Sequence, residues 1–162
     1  MPNRPDARPA NGAPSVGAEP VQVFVDADVL FAGSASPTGA SHLVLQLSEL
    51  GVIQAFTSHQ ARDEVERNLA AKLPAALPAF RAIVAAACHP ATEPTPVAVR
   101  RLVAADACDP KDCPILAAAL ATECAWLLTF NVRDHRAGDR IRVSEPGAFV
   151  AALRDRLSGL AT

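Results

Sequence analysis

Apolar and polar positions change rhythm repeatedly along the chain, from short β-branched runs to stretches with helical spacing. Val21-Gln22-Val23-Phe24-Val25 predicts a buried strand. A turn at Ser36-Pro37-Thr38-Gly39 precedes an amphipathic helix from about Ser41 to Leu50, with Gly51 as its stop. Val52 to Phe56 predicts a second strand, and Ser58 is a good N-cap for a helix running to about Lys72. Pro74 and Pro78 bracket a further helical segment, Leu77 to Ala87. The proline-broken stretch Cys88 to Pro96 reads as a loop, and Val97 to Ala105 as a short helix. Asp109-Pro110-Lys111-Asp112 is a turn that introduces a helix from Pro114 to about Thr122. Trp126 to Thr129 predicts a third strand, Ile141 to Val143 a fourth, and Pro146 to Leu157 a closing helix. Strands alternating with helices predict a parallel sheet covered on both faces.

Composition narrows the setting. The 162 residues suit one domain, and half of them are hydrophobic, which supports a packed core. Residues 1–20 are rich in Pro, Ala and Gly without periodicity, so a flexible tail is expected before a domain at 21–160. No apolar run reaches the ~18 residues that cross a bilayer; Glu123 interrupts the longest, Ile115 to Leu128. The opening residues also lack the apolar stretch of a secretory signal. A cytoplasmic protein without a membrane partner is therefore expected. Cys88, Cys108, Cys113 and Cys124 form no CxxC pair, and the four histidines lack metal-ligand spacing, so the cysteines read as buried thiols.

Charge alone does not select a partner. The net charge is −2, and the cations are nearly all arginines. A local group, Arg133, Arg136, Arg140 and Arg142, is either a solvated face or a set of weak phosphate contacts.

The positions of the acids are more telling. In a parallel sheet the C-terminal ends of the strands open onto one edge, where ligands usually sit. Asp26 follows the first strand directly, and Asn131 and Asp134 follow the third. Asp112 stands at the start of the preceding helix, and Glu64 lies in the second turn of the helix after strand two. Gathered carboxylates repel one another and raise each other's pKa unless a cation intervenes. Mg²⁺ takes oxygen ligands and suits phosphodiester hydrolysis without a catalytic serine or histidine. Each acid has a plainer explanation as well. Asp112 reads as an N-cap, Asp109 as a turn former, Glu64 as helix surface and Asp134 as a loop ion pair.

Four segments together resemble the PIN-domain family over about Val21 to Leu157. Val23-Phe24-Val25-Asp26-Ala27-Asp28-Val29-Leu30 resembles its opening signature, with Asp28 where Asn is usual. Ser58 through Glu64-Val65-Glu66-Arg67-Asn68-Leu69 resembles the helix with the second acid. Asp109-Pro110-Lys111-Asp112 with Ile115 to Ala119 resembles the third block. Leu127-Leu128-Thr129-Phe130-Asn131-Val132-Arg133-Asp134-His135 resembles the fourth, with His135 in place of the usual aromatic. The resemblance implies a doubly wound α/β sheet of about four to five parallel strands with helices on both faces. It also implies a ribonuclease dependent on Mg²⁺ or Mn²⁺, often dimeric, and often the VapC-like toxin partner of an antitoxin protein. The catalytic quartet falls on Asp26, Glu64, Asp112 and Asp134, with Asp26, Asp112 and Asp134 as metal ligands. Asp28, Asp109, Thr129 and Asn131 take auxiliary places, and Arg133 and Arg136 make weak RNA contacts.

Two other readings compete. Asp26-Ala27-Asp28 resembles the Asp-x-Asp motif of haloacid-dehalogenase-like phosphatases, but it lacks the following Gly-Thr, and Lys72 and Lys111 are badly placed. A PIN fold can also serve as a silent module that binds RNA or protein. No GxGxxG follows the first strand, which disfavours a dinucleotide-binding fold.

Overall fold

In a computed structural model of the chain, residues 19–160 are described. The tail expected at 1–20 lies outside them except for its last two residues. Five parallel strands form one sheet in the order β3-β2-β1-β4-β5. They are β1 Val21–Val25, β2 Ile53–Thr57, β3 Cys88–Pro90, β4 Trp126–Leu128 and β5 Arg142–Ser144. The helices are α1 Ala27–Ala35, α2 Ala40–Glu49, α3 His59–Lys72, α4 Leu77–Ala87, α5 Pro96–Ala104, α6 Cys113–Ala121 and α7 Pro146–Leu160.

β1 is the central strand, and Val23, Phe24 and Val25 are fully buried because helices cover both of its faces. The chain winds outward from β1 through β2 to the edge strand β3, then returns to β4 on the other side of β1. Right-handed crossovers therefore place α5 and α6 on the face opposite α1–α4. Helices α1 to α4 pack on one another, α7 packs on α2, and α5 packs on α6. The order reverses between β1 and β4, so a crevice opens at their C-terminal ends.

Two elements differ from the sequence expectation. The stretch after Asp26 forms helix α1, which buries Ala27, Val29, Leu30 and Gly33, with Asp26 as N-cap accepting from the Ala27 N–H at 2.7 Å. A helix enclosed by α2, α3 and the sheet needs apolar residues on several sides, so it shows no amphipathic stripe. The expected loop from Cys88 contains strand β3, which pairs with Ala55 to Thr57. An edge strand of three residues ending in proline leaves too short a pattern to read.

The cysteines also depart from expectation. Cys108 and Cys113 form a disulfide, with Cα atoms 5.5 Å apart, within the range such a bond needs. The Asp109–Asp112 turn folds back on itself and brings them together. Cys88 and Cys124 are free, and burial pushes both thiols up to about 12. Among the described residues no helix is long and apolar enough to cross a membrane.

Candidate metal centre at the switch point

The crevice between β1 and β4 collects acids from four parts of the chain. Asp26 is held where β1 ends, its N–H donating to the Leu128 carbonyl at 3.1 Å. Thr129, fully buried just after β4, points its hydroxyl at Asp26 Oδ2 (3.0 Å) and Asp28 Oδ2 (3.3 Å). One hydroxyl proton serves the nearer oxygen, and the Asn131 N–H donates to the same Oγ1 at 3.1 Å. Asp28 Oδ2 also accepts from the Phe130 N–H at 2.8 Å. Thr129 thus ties the two acids of the first helix to the end of β4. Glu64, exposed on α3, adds its charge beside Asp26 and lines a cavity of about 230 Å³ with Asp28.

The second acidic group lies on the turn before α6 and the loop after β4. Single carboxylate oxygens of Asp109, Asp112 and Asp134 lie within 4.8 Å of one another. Backbone bonds set this arrangement. The Asp109 N–H donates to the Asp134 carbonyl at 2.9 Å, and Asp112 N–H to the Asp109 carbonyl at 2.8 Å. A bridge between Cys108 and His135 runs alongside. Asp109 is thus the turn former its sequence suggests, and its carboxylate joins the cluster as well.

Asp112 occupies the N-cap position of α6, yet its side chain makes no capping bond. Its Oδ2 is buried without a hydrogen-bond partner. A buried carboxylate oxygen in that condition is costly unless a cation meets it.

Electrostatics follow from this crowding. Burial, then the Asp28 and Glu64 charges, push Asp26 up to about 6 against bonds from Ala27 and Thr129. Asp28 and Asp112 are also raised, each chiefly by burial. His135 is buried, and neither ring nitrogen has a partner. Desolvation lowers its pKa despite the carboxylates of Asp112, Asp134, Asp28 and Asp109 around it. Those carboxylates belong to both acidic groups, so the His135 ring feels the charge of each.

The structure brings Asp112 and Asp134 together with Asp109, while Asp26 is joined to Asp28, Thr129 and the Glu64 charge. Asp109 is the member that sequence reasoning placed only as auxiliary; its signal was its spacing of three from Asp112. Asn131 is exposed at the start of the 3₁₀ turn carrying Asp134. Arg136 is committed to Asp106 at 2.7 Å and approaches Asp109 at 4.0 Å, which leaves less of it for phosphate. Arg133 is exposed beside Phe130 and Asn131.

Hard oxygen donors converging at the switch point of a doubly wound sheet define a carboxylate-lined α/β site suited to a divalent cation. A family model described as PIN domain matches residues 22–133, and the chain belongs to that family. PIN domains are in general nucleases, which the acidic cluster agrees with. The match displaces the phosphatase reading of Asp26 and Asp28. Among solved structures, the crystal structure of PAE2754 from Pyrobaculum aerophilum is similar, with a TM-score of 0.61. The alignment covers 86% of this chain and 99% of that one at 16% identity, a likeness of fold alone. No curated protein matches the chain.

Proposed function

We propose that this PIN domain hydrolyses RNA phosphodiester bonds with the help of Mg²⁺ or Mn²⁺. Asp112 and Asp134, with Asp109, would hold the cation, Asp26 would face it from the end of β1, and Glu64 would add a fifth carboxylate from α3. The observation that carries this reading is the buried, unpartnered Asp112 Oδ2 within a three-carboxylate cluster. An ordinary capping residue would have spent that oxygen on the helix N-terminus. The donor set contains only oxygens, which fits the hard cations better than zinc. When bound, such a cation polarises the phosphoryl oxygen and lowers the pKa of water.

The chain's own residues supply the rest. Thr129 fixes the rotamer of Asp26 by holding Oδ2, while the Ala27 N–H holds Oδ1. With a cation nearby favouring its charged form, the Asp26 carboxylate would accept a proton from the attacking water. Phe130 stands 47% exposed beside Asp28 and offers a face on which an RNA base can stack. RNA as the substrate, and the toxin role with an antitoxin partner, come from the family resemblance. Both belong to the proposal.

Mn²⁺-supported cleavage of a structured RNA, with a chelator control, tests it. Wild type should cut and Asp112→Asn should lose a factor of about 10² to 10³, as when one electrostatic stabiliser is removed. Equal cleavage by both proteins would place the activity elsewhere. No cleavage by wild type with metal present would turn the reading to a silent binding module.

A further inference from the structure

The disulfide and the acidic cluster share one short segment. Cys108-Asp109-Pro110-Lys111-Asp112-Cys113 is closed by the Cys108–Cys113 bond, so two of the three clustered carboxylates lie inside the ring. The third, Asp134, is docked onto the ring through the Asp109 N–H to Asp134 carbonyl bond and the Cys108–His135 bridge. Both cysteines are buried, at 1% and 0% exposure, and Cys113 is the first residue of α6. We propose that this cystine is a positioning element for the cation site, so that metal affinity depends on the redox state of Cys108 and Cys113. The inference deepens the reading above and rests on Asp109, Asp112 and Asp134 being the place where the cation is held.

The physical reason lies in repulsion. Carboxylates packed within 4.8 Å repel one another, and a free turn relaxes by spreading them. The covalent ring limits that spread, so less reorganisation is needed when a cation arrives. A ring this short removes less chain entropy from the unfolded state than a long loop would, and within the folded state its effect is local. Reduction also forces two bonded sulfurs back to van der Waals separation inside a packed interior. The displacement falls on residues adjacent to Asp109 and Asp112.

The chemistry balances with a small-molecule disulfide such as glutathione disulfide as oxidant. One protein thiolate attacks it, giving a mixed disulfide and one released thiol. The second protein sulfur then displaces the other thiol as the Cys108–Cys113 bond forms. Two protein thiols and one disulfide become one protein disulfide and two small thiols.

The test uses the full chain, prepared reduced or oxidised with glutathione disulfide and then freed of both reagents. Peptide mapping after alkylation verifies the Cys108–Cys113 bond, and melts in chelator verify that both forms are folded. Calorimetric titration with Mn²⁺, without RNA, should show the reduced form binding about tenfold more weakly, comparable to loss of an outer support. Reoxidation should restore the affinity. A Cys108→Ala/Cys113→Ala variant should bind weakly under both regimes and ignore redox; alanine avoids a buried unpaired hydroxyl.

Equal affinity for the two verified forms would overturn the proposal and leave the metal reading intact. Failure of the folded protein to form the bond under glutathione disulfide would also overturn it. Mn²⁺ binding to neither form would remove both readings. Redox-dependent Mn²⁺ affinity without RNA cleavage would uphold the cystine's role and refute the ribonuclease.

Discussion

Asp26 carries two duties that pull in opposite directions. It caps α1 and accepts from Thr129, both of which favour the ionised form, yet burial and the neighbouring acids push its carboxyl up to about 6. The folded state therefore holds this proton more tightly than the unfolded chain, whose carboxyl titrates near 3.8. The resulting stability is present below 3.8 and lost as pH rises through about 6. Asp26→Asn removes that loss. In chelator at pH 8 the variant should be more stable than wild type by about 1–3 kcal/mol, with the difference closing towards pH 4. Urea melts at the two pH values check this, and a difference that does not change with pH would show that Asp26 ionises normally. Added Mg²⁺ or Mn²⁺ should reverse the ranking, because a cation favours the charged carboxylate of wild type.

At the scale of elements, the site is built from ends. β1 delivers Asp26, the residue after β4 delivers Thr129, and the turn before α6 delivers Asp109 and Asp112. Helix α3 stands apart, contributing Glu64 from its second turn, beyond a cap in which Ser58 Oγ accepts from the Ala61 N–H at 3.2 Å. Ser58→Ala should cost about 1 kcal/mol of stability, the usual loss for a helix cap. Mn²⁺ affinity should hold, since the clustered carboxylates belong to other elements. Denaturant melts and calorimetry on the same samples separate the two effects; a large loss of affinity would mean that α3 helps to organise the cation site. The contrast with Asp112 is instructive. Both residues precede helices, but only Ser58 uses its side chain to cap, and Asp112 keeps an oxygen free.

The whole molecule responds to a ligand that only the folded state can hold. The carboxylates at the switch point are separated by up to about a hundred residues in sequence, so the unfolded chain offers no such site. Mn²⁺ at a hundredfold excess over its Kd should raise unfolding free energy by about 2.7 kcal/mol. The shift should vanish in Asp112→Asn, as read by thermal melts with and without metal. An equal rise in both proteins would point to binding elsewhere. Leu43 and Leu50 are exposed, at 38% and 76%, while Leu47 packs against the core. Helix α2 therefore presents only a narrow apolar surface to solvent, at Leu43 and Leu50.

Much of this architecture was legible locally. The β-branched run before Asp26, Ser58 at a helix start and the Pro-led helix after Asp112 each carry their signals within a few residues, because capping and strand burial are short-range physics. The order of four acidic segments was likewise enough to indicate the family. What the sequence could not convey was set by packing between distant elements. Helix α1 is enclosed, so its periodicity is masked; β3 exists only because β2 offers an edge. Only the tertiary structure decided that Asp109 joins Asp112 and Asp134, that Asp26 shares Thr129 with Asp28, and that Cys108 meets Cys113. Those pairings depend on directions of side chains and closure of turns, which residue identity and spacing leave undetermined until the sheet fixes them in space.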